Sequence, residues 1–211
     1  MEQITRRSAV APFEEPTQTT IRDGWCVALT YPNEGNGPYW VDLSHRAKWD
    51  LQDREIDGFS PFGCNVPDQP GKSIYQEGFL LSRLNRTQAV IWHLHGISPL
   101  DPKDSAFTNI TDAFVLFALI GEDVFSIAEK LCSLDLRDRG LDLPRVHQGP
   151  FCHVLAQMVV MEKRGGVGTL LVACSRGYAA DLVHAIVEAG REFGLRPAGE
   201  KTFERWLSAG E

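Results

Sequence analysis

Trp92-His93-Leu94-His95 sets two imidazoles at the spacing that shares one face of a strand, where they could offer two nitrogens to a metal ion. A zinc site asks for further ligands, yet neither His-x-x-x-His nor Cys-x-x-Cys lies nearby, and Cys152 and His153 are the distant candidates. The expectation is a hydrogen-bonded pair, His93 and His95, beside a sheet edge, with no metal. Cys152-His153 names a thiolate and its base, but strand neighbours face opposite ways, so an inert buried cysteine is expected. Cys132 and Cys174 sit in apolar surroundings and read as small core residues. Asp42-Leu43-Ser44-His45 holds the members of a hydrolytic triad, although side chains this close in sequence do not usually reach triad geometry. A turn in which Asp42 or Ser44 caps a backbone N–H costs less. No catalytic residue is assigned.

Binding residues stand out more than reactive ones. Arg83, Asn85, Arg86 and Gln88 crowd one proposed turn, with donors suited to a partner's carboxylates or a charged cofactor tail. The competing role is a solvated hairpin tip. Trp49 and Trp206 are candidate anchors for another subunit, since tryptophan is enriched where interfaces bind most strongly.

The element that must position the second half of the chain is Asn109–Leu136. A β-branched and aromatic run from Ile110 to Ile120 breaks at Gly121, and acids Glu122 and Asp123 precede a helical pattern of Val124, Ile127, Ala128 and Leu131. This reads as strand, turn, helix. Two further strands, Phe151–Glu162 and Thr169–Cys174, lead to the clearest helix, with Ser175 as N-cap and Gly194 as stop. Residues 108–195 thus read β-α-β-β-α, a ferredoxin-like unit with helices on one face of an antiparallel or mixed sheet, an α+β class. Before it, a β-rich part at 21–107 holds strands at Trp25–Tyr31, at Tyr39–Leu51 with a bend at Ser44, and at Phe79–Leu84 and Ala89–Leu94. Gly- and Pro-rich loops are expected at 56–72, 98–107 and 137–150. Residues 1–20 read as a flexible arm, 21–211 as one domain, and 196–211 as a tail that includes a short amphipathic turn.

Composition excludes some functions. With 211 residues and 43% hydrophobic ones, the chain can build a proper core. A net charge of -7 argues against general nucleic-acid binding, which needs clustered Lys and Arg. Five scattered cysteines suggest reduced thiols in the cytoplasm. No apolar run reaches the roughly 20 residues a membrane span needs, and no secretory leader is expected.

At NITDAFVLFALIGEDVFSIAEKLCSLDL the chain resembles the sarcosine oxidase gamma subunit family, including the ending Cys132-Ser133-Leu134-Asp135-Leu136. QGPFCHVLAQMVVMEKR and LLVACSRGYAADLVHAIVEAGREFG resemble that family's second half. The family belongs to a wider folate-binding group that includes the aminomethyltransferases, whose Asp-x-Ser-His start resembles Asp42-Leu43-Ser44-His45. Those enzymes are longer, and their Asn-Asp step has no match here. The resemblance implies an aminomethyltransferase-like, folate-binding type of fold used as an accessory subunit of an amine-demethylating complex. Flavin (FAD or FMN) and NAD would then belong to partner subunits. The alternative it implies is a stand-alone tetrahydrofolate-binding protein of one-carbon transfer. A pterin asks for a carboxylate acceptor and a flat surface, for which Trp40, Asp42, Asp112 and Phe114 are the candidates, against strand-start capping and core packing.

Overall fold

The computed structural model describes residues 5–10, 14–137, 142–164 and 166–209. The chain opens with β1 (Gln18–Arg22) and β2 (Trp25–Thr30), then β3 (Tyr39–Asp42) and β4 (Lys48–Gln52). β5 (Ser73–Gln76), β6 (Phe79–Asn85), β7 (Gln88–His93), β8 (Phe107–Asn109) and β9 (Phe114–Ile120) follow. After α1 (Val124–Glu129) come β10 (Arg145–Phe151), β11 (Val154–Arg164) and β12 (Val167–Ser175). The chain then runs through α2 (Ala179–Gly190), β13 (Arg196–Pro197) and α3 (Glu200–Ser208).

Two sheets form the centre of the molecule. One runs β10-β11-β12-β9-β3-β13, antiparallel except where β13 lies parallel to β3; the other runs β5-β6-β7-β4-β8 and is antiparallel throughout. This is an α+β fold with a mixed and an antiparallel sheet and few helices. β9 explains the unbroken apolar run in the sequence. Its Val115, Phe117 and Leu119 face α1 and α2, while Leu116, Ala118 and Ile120 face the second sheet, so both sides of the strand are dry. Ile127 of α1 and Leu182, Val183 and Ile186 of α2 close the first core. On the far side of the second sheet, Trp49, Leu51 and Ile91 are roofed by Ile56 and Cys64.

Several expectations are corrected. Helices do not all lie on one face: α3 packs Phe203, Trp206 and Leu207 into the core between the sheets, because this one-turn-spaced stripe must be buried somewhere. The loop expected at 137–150 contains a strand, so the second half reads β-α-β-β-β-α. β11 is the one named strand that β10 pairs with, apart from a bridge from Arg145 to Lys72, and an edge strand tolerates Gly149 and Pro150, the residues that hid it. The bent strand at 39–51 is two strands in different sheets. The loop at 56–72 carries 3-10 turns at Ile56–Gly58 and Pro61–Gly63. The expected flexible arm is docked where it is described: Val10 is buried against the helices, the Arg6 N–H donates to Gly24 O at 2.7 Å, and Gln18–Arg22 is β1. Residues 1–4 and 11–13 of that segment, Gly165 of one expected turn and residues 210–211 of the tail lie outside the described residues.

Gly199, the residue before α3, lets two backbones meet. A Cβ there would sit 2.1 Å from the carbonyl carbon and oxygen of Leu29 in β2. Gly199→Ala should therefore push α3 off the β1–β2 hairpin and cost about 1–3 kcal/mol, the usual range for overpacking. The check is a urea titration: the midpoint should fall with little change in slope.

Candidate functional site

The Asp42–Ala47 segment is the crossover that carries the chain from one sheet to the other. Asp42 Oδ1 accepts the Ser44 N–H at 2.9 Å, Leu43 N–H donates to Leu116 O at 2.8 Å, and Arg46 N–H returns to Leu43 O at 2.9 Å. Ser44 Oγ accepts the Leu116 N–H at 3.3 Å. Lys48 then folds back under the turn it follows. Its side chain is 0% exposed, and Nζ donates to Ser44 O at 2.8 Å and Arg46 O at 2.7 Å. Burial pulls this ammonium down to about 7 from 10.5, against the opposing charges of Asp42 and Asp112.

Glu200, the first residue of α3, locks the crossover to the C-terminal helix. Its carboxylate is 0% exposed and accepts from Arg46 Nη2 at 2.5 Å, from His45 Nε2 at 2.7 Å and from Arg22. Arg46, 2% exposed on its side chain, also donates to Gly96 O and to Glu204, each at 3.2 Å. Burial alone would raise the Glu200 carboxyl, but the His45 hydrogen bond and the charges around it hold it at about 2. Burial pushes His45 below its ordinary value, opposed by the hydrogen bond and charge of Glu200.

Two cavities flank this crossover and share Trp25 and His45 as walls. The first, about 490 Å³, is lined by Arg6, Trp49, Asp101 and Asp112 among others. Two of its acids are engaged: Arg6 donates to both Asp112 oxygens at 3.2 Å, and Asp101 Oδ1 accepts from Trp49 Nε1 and Asn109 Nδ2, each at 2.7 Å. The second, about 480 Å³, is lined by Trp40, Asp42, Tyr31, Glu15 and Arg7 with apolar Val10 and Val27. Burial, then Asp42, Glu15, Glu14 and Glu34, pushes the Tyr31 hydroxyl up to about 12.

The structure brings together only some of the residues singled out in the sequence. Trp40 and Asp42 share the second cavity, Asp112 lies in the first, and Phe114 lines neither of them, half-buried at the start of β9. Trp49 and Trp206 are buried within this chain, the latter donating Nε1–H to Val167 O at 3.2 Å, so neither offers an exposed anchor. Arg83 is buried too. It ties down its own hairpin and the loop beside it through Asp57, Pro67 O, Asn85 O and Arg86 O, rather than reaching outward. Asn85 donates to Gln88 and Gln88 to Asp50, leaving Arg86 as the exposed cation of that tip. His93 and His95 do not form a pair on one strand face, because β7 ends at His93. His93 is buried against Phe79, with burial and then Arg46 pulling it down to about 4, while His95 is exposed. Among the described residues no group of three or more His, Cys, Asp and Glu could hold a metal ion. Cys152 and His153 are not strand neighbours but the tight turn between β10 and β11, with φ of 50° and 66°. No helix among the described residues is long and apolar enough to cross a membrane.

Sequence reasoning missed Trp25, Tyr31, Arg46, Lys48 and Glu200. The available signal was two cations, Arg46 and Lys48, inside the Tyr39–Leu51 segment read as a strand. Nothing near Glu200 marks it as buried.

No protein-family model matches the chain, and no curated protein matches it in sequence. Its fold is similar to that of a chain of the heterotetrameric sarcosine oxidase from Corynebacterium sp. U-96, solved in complex with pyrrole 2-carboxylate. That likeness has a TM-score of 0.62 and 13% identity, over 73% of this chain and 84% of the other. At that identity the shared property is the fold.

Proposed function

We propose that this chain is an accessory subunit of an amine-oxidising complex resembling heterotetrameric sarcosine oxidase. In this reading residues 108–195 are half of an aminomethyltransferase-type folate-binding fold, working in the cytoplasm, with flavin and NAD held by partner subunits. The observation that carries it is the fold likeness to a chain of such an oxidase over 84% of that chain. The chemistry of the site agrees. A catalyst needs groups whose bonding strengthens in the transition state. Here Asp112 is held by Arg6, Asp101 by Trp49 and Asn109, and Glu200 by Arg46, an arrangement suited to holding a shape. Affinity purification of the tagged chain from its native cell should bring down other polypeptides together with flavin absorbance. Recovery as a lone monomer would reject the subunit role.

A second reading, a tetrahydrofolate-binding module, is favoured by Trp40 and Asp42 sharing a cavity of about 480 Å³, within the usual range for small-molecule pockets. It requires a saturable calorimetric signal with tetrahydrofolate on the isolated chain, lost in Asp42→Ala. A flat titration dismisses it.

A further inference from the structure

Two cysteines twenty positions apart meet where the end of α1 crosses the β10–β11 hairpin. Cys152 opens the two-residue turn that joins Phe151 to its strand partner Val154, and its N–H donates to Leu131 O at 2.6 Å. Cys132 closes the turn after α1, its own N–H donating to Ala128 O at 2.9 Å. Because Leu131 O and the Cα of Cys132 belong to one planar peptide, standard backbone geometry places the Cα atoms of Cys132 and Cys152 within about 7 Å, the limit a disulfide can bridge. Both side chains pack against the first core, and both thiols are free. We propose that Cys132 and Cys152 are a redox-responsive pair, closed to an intrachain disulfide by hydrogen peroxide and reopened by a small thiol. The proposal stands independently of the accessory-subunit reading.

Position, access and chemistry agree on this pair. The segment that carries Cys132 runs along the hairpin, since a Cβ on Gly149 of β10 would lie 3.6 Å from the Leu134 side chain. Cys132 and Cys152 are half-buried, within reach of a small oxidant, whereas Cys64 and Cys174 are sealed in the cores. Two thiols with no third ligand do not make a zinc site, and no larger group occurs among the described residues. In the first step the Cys152 sulfur attacks one peroxide oxygen, the O–O bond breaks, and water leaves a sulfenic acid behind. The Cys132 sulfur then attacks that sulfur, the S–O bond breaks, and the departing hydroxide takes the thiol proton as a second water. The balance is two thiols and one hydrogen peroxide to one disulfide and two waters. Burial raises the Cys132 thiol, opposed by the Leu134 N–H and reinforced by Glu129, which suits it to the second step, where proximity compensates for scarce thiolate. In a reducing compartment such a bond is transient and serves sensing rather than scaffolding.

The test exposes the reduced full-length chain to a small excess of hydrogen peroxide. Free thiols counted after unfolding should fall from five to three per chain, two being joined. Trypsin cuts between the two cysteines, at Arg137 and Arg145, so mass spectrometry should find their peptides linked until dithiothreitol separates them. Cys132→Ser removes the resolving thiol and should leave a sulfenic acid on Cys152 that dimedone captures. Cys152→Ser should leave Cys132 unmodified. The thiol count and the linked peptides come from the parent chain, so a variant that folds poorly does not remove the test. Survival of all five thiols, links between chains, or a disulfide through Cys26 or Cys64 in place of this pair would each overturn the assignment. Dimedone on Cys132 in the Cys152→Ser chain would overturn the order of the two steps.

Discussion

Glu200→Ala is expected to destabilise the fold by about 3–5 kcal/mol, the typical cost of removing one member of a buried ion pair. Against the roughly 5–15 kcal/mol that holds an ordinary domain together, that is a large share. The loss comes less from the missing contacts than from what remains. Arg46 keeps its charge with 2% of its side chain exposed, and its Nε already lacks a hydrogen-bond partner. Urea unfolding reads the effect directly. The double variant Arg46→Met/Glu200→Leu should recover much of it, because an apolar pair of similar volume often replaces a buried ion pair without cost. If the double variant is as weak as the single one, shape rather than charge sets the stability of this joint.

The same carboxyl sets an acid limit. Its value falls from 4.5 to about 2 on folding, so its stabilisation is fully present above 4.5 and is lost as pH drops toward 2. Glu200→Gln should flatten that part of the stability–pH curve. Urea midpoints at about pH 5 and about pH 3 are enough to see it.

Lys48→Met carries the second large expectation, and its sign is opposite to that of an ordinary paired lysine. Between about 7 and 10.5 the unfolded chain holds a proton on Lys48 that the folded chain has released. Stability should therefore climb with pH across that window, by at most on the order of 4–5 kcal/mol if the displacement is complete. The carbonyls of Ser44 and Arg46 bind the ammonium more strongly than the amine, which reduces the climb. Other groups pull the other way: burial raises the thiols of Cys64, Cys132 and Cys174 and the hydroxyl of Tyr31. Subtracting the Lys48→Met curve from the parent's cancels these and leaves the lysine alone. A difference that stays level from pH 7 to 10.5 would mean Lys48 keeps its proton in the folded chain.

What the sequence determined by itself was local periodicity and the elements that follow from it. The unbroken run at Phe114–Ile120, the turn at Gly121 and the stripe of Leu182, Val183 and Ile186 specify a strand and two helices, because burial of a repeating pattern needs no knowledge of distant residues. Asp42-Leu43-Ser44-His45 was legible as a place where the chain does something unusual. Its role as a crossover between sheets was not, since sheet membership depends on partners such as Leu116, more than seventy positions away.

Only the tertiary structure decided which charges are buried. Glu200 reads locally as one charged residue of the 196–211 tail, and its partners Arg22, Arg46 and His45 lie 178, 154 and 155 positions earlier. Folding brings α3 under the crossover because Phe203, Trp206 and Leu207 must leave water, and the ionic joint is assembled as a consequence of that burial. Pairing across such separations leaves no periodic trace. The two cavities arise the same way, where the β1–β2 hairpin and the crossover come together around Trp25.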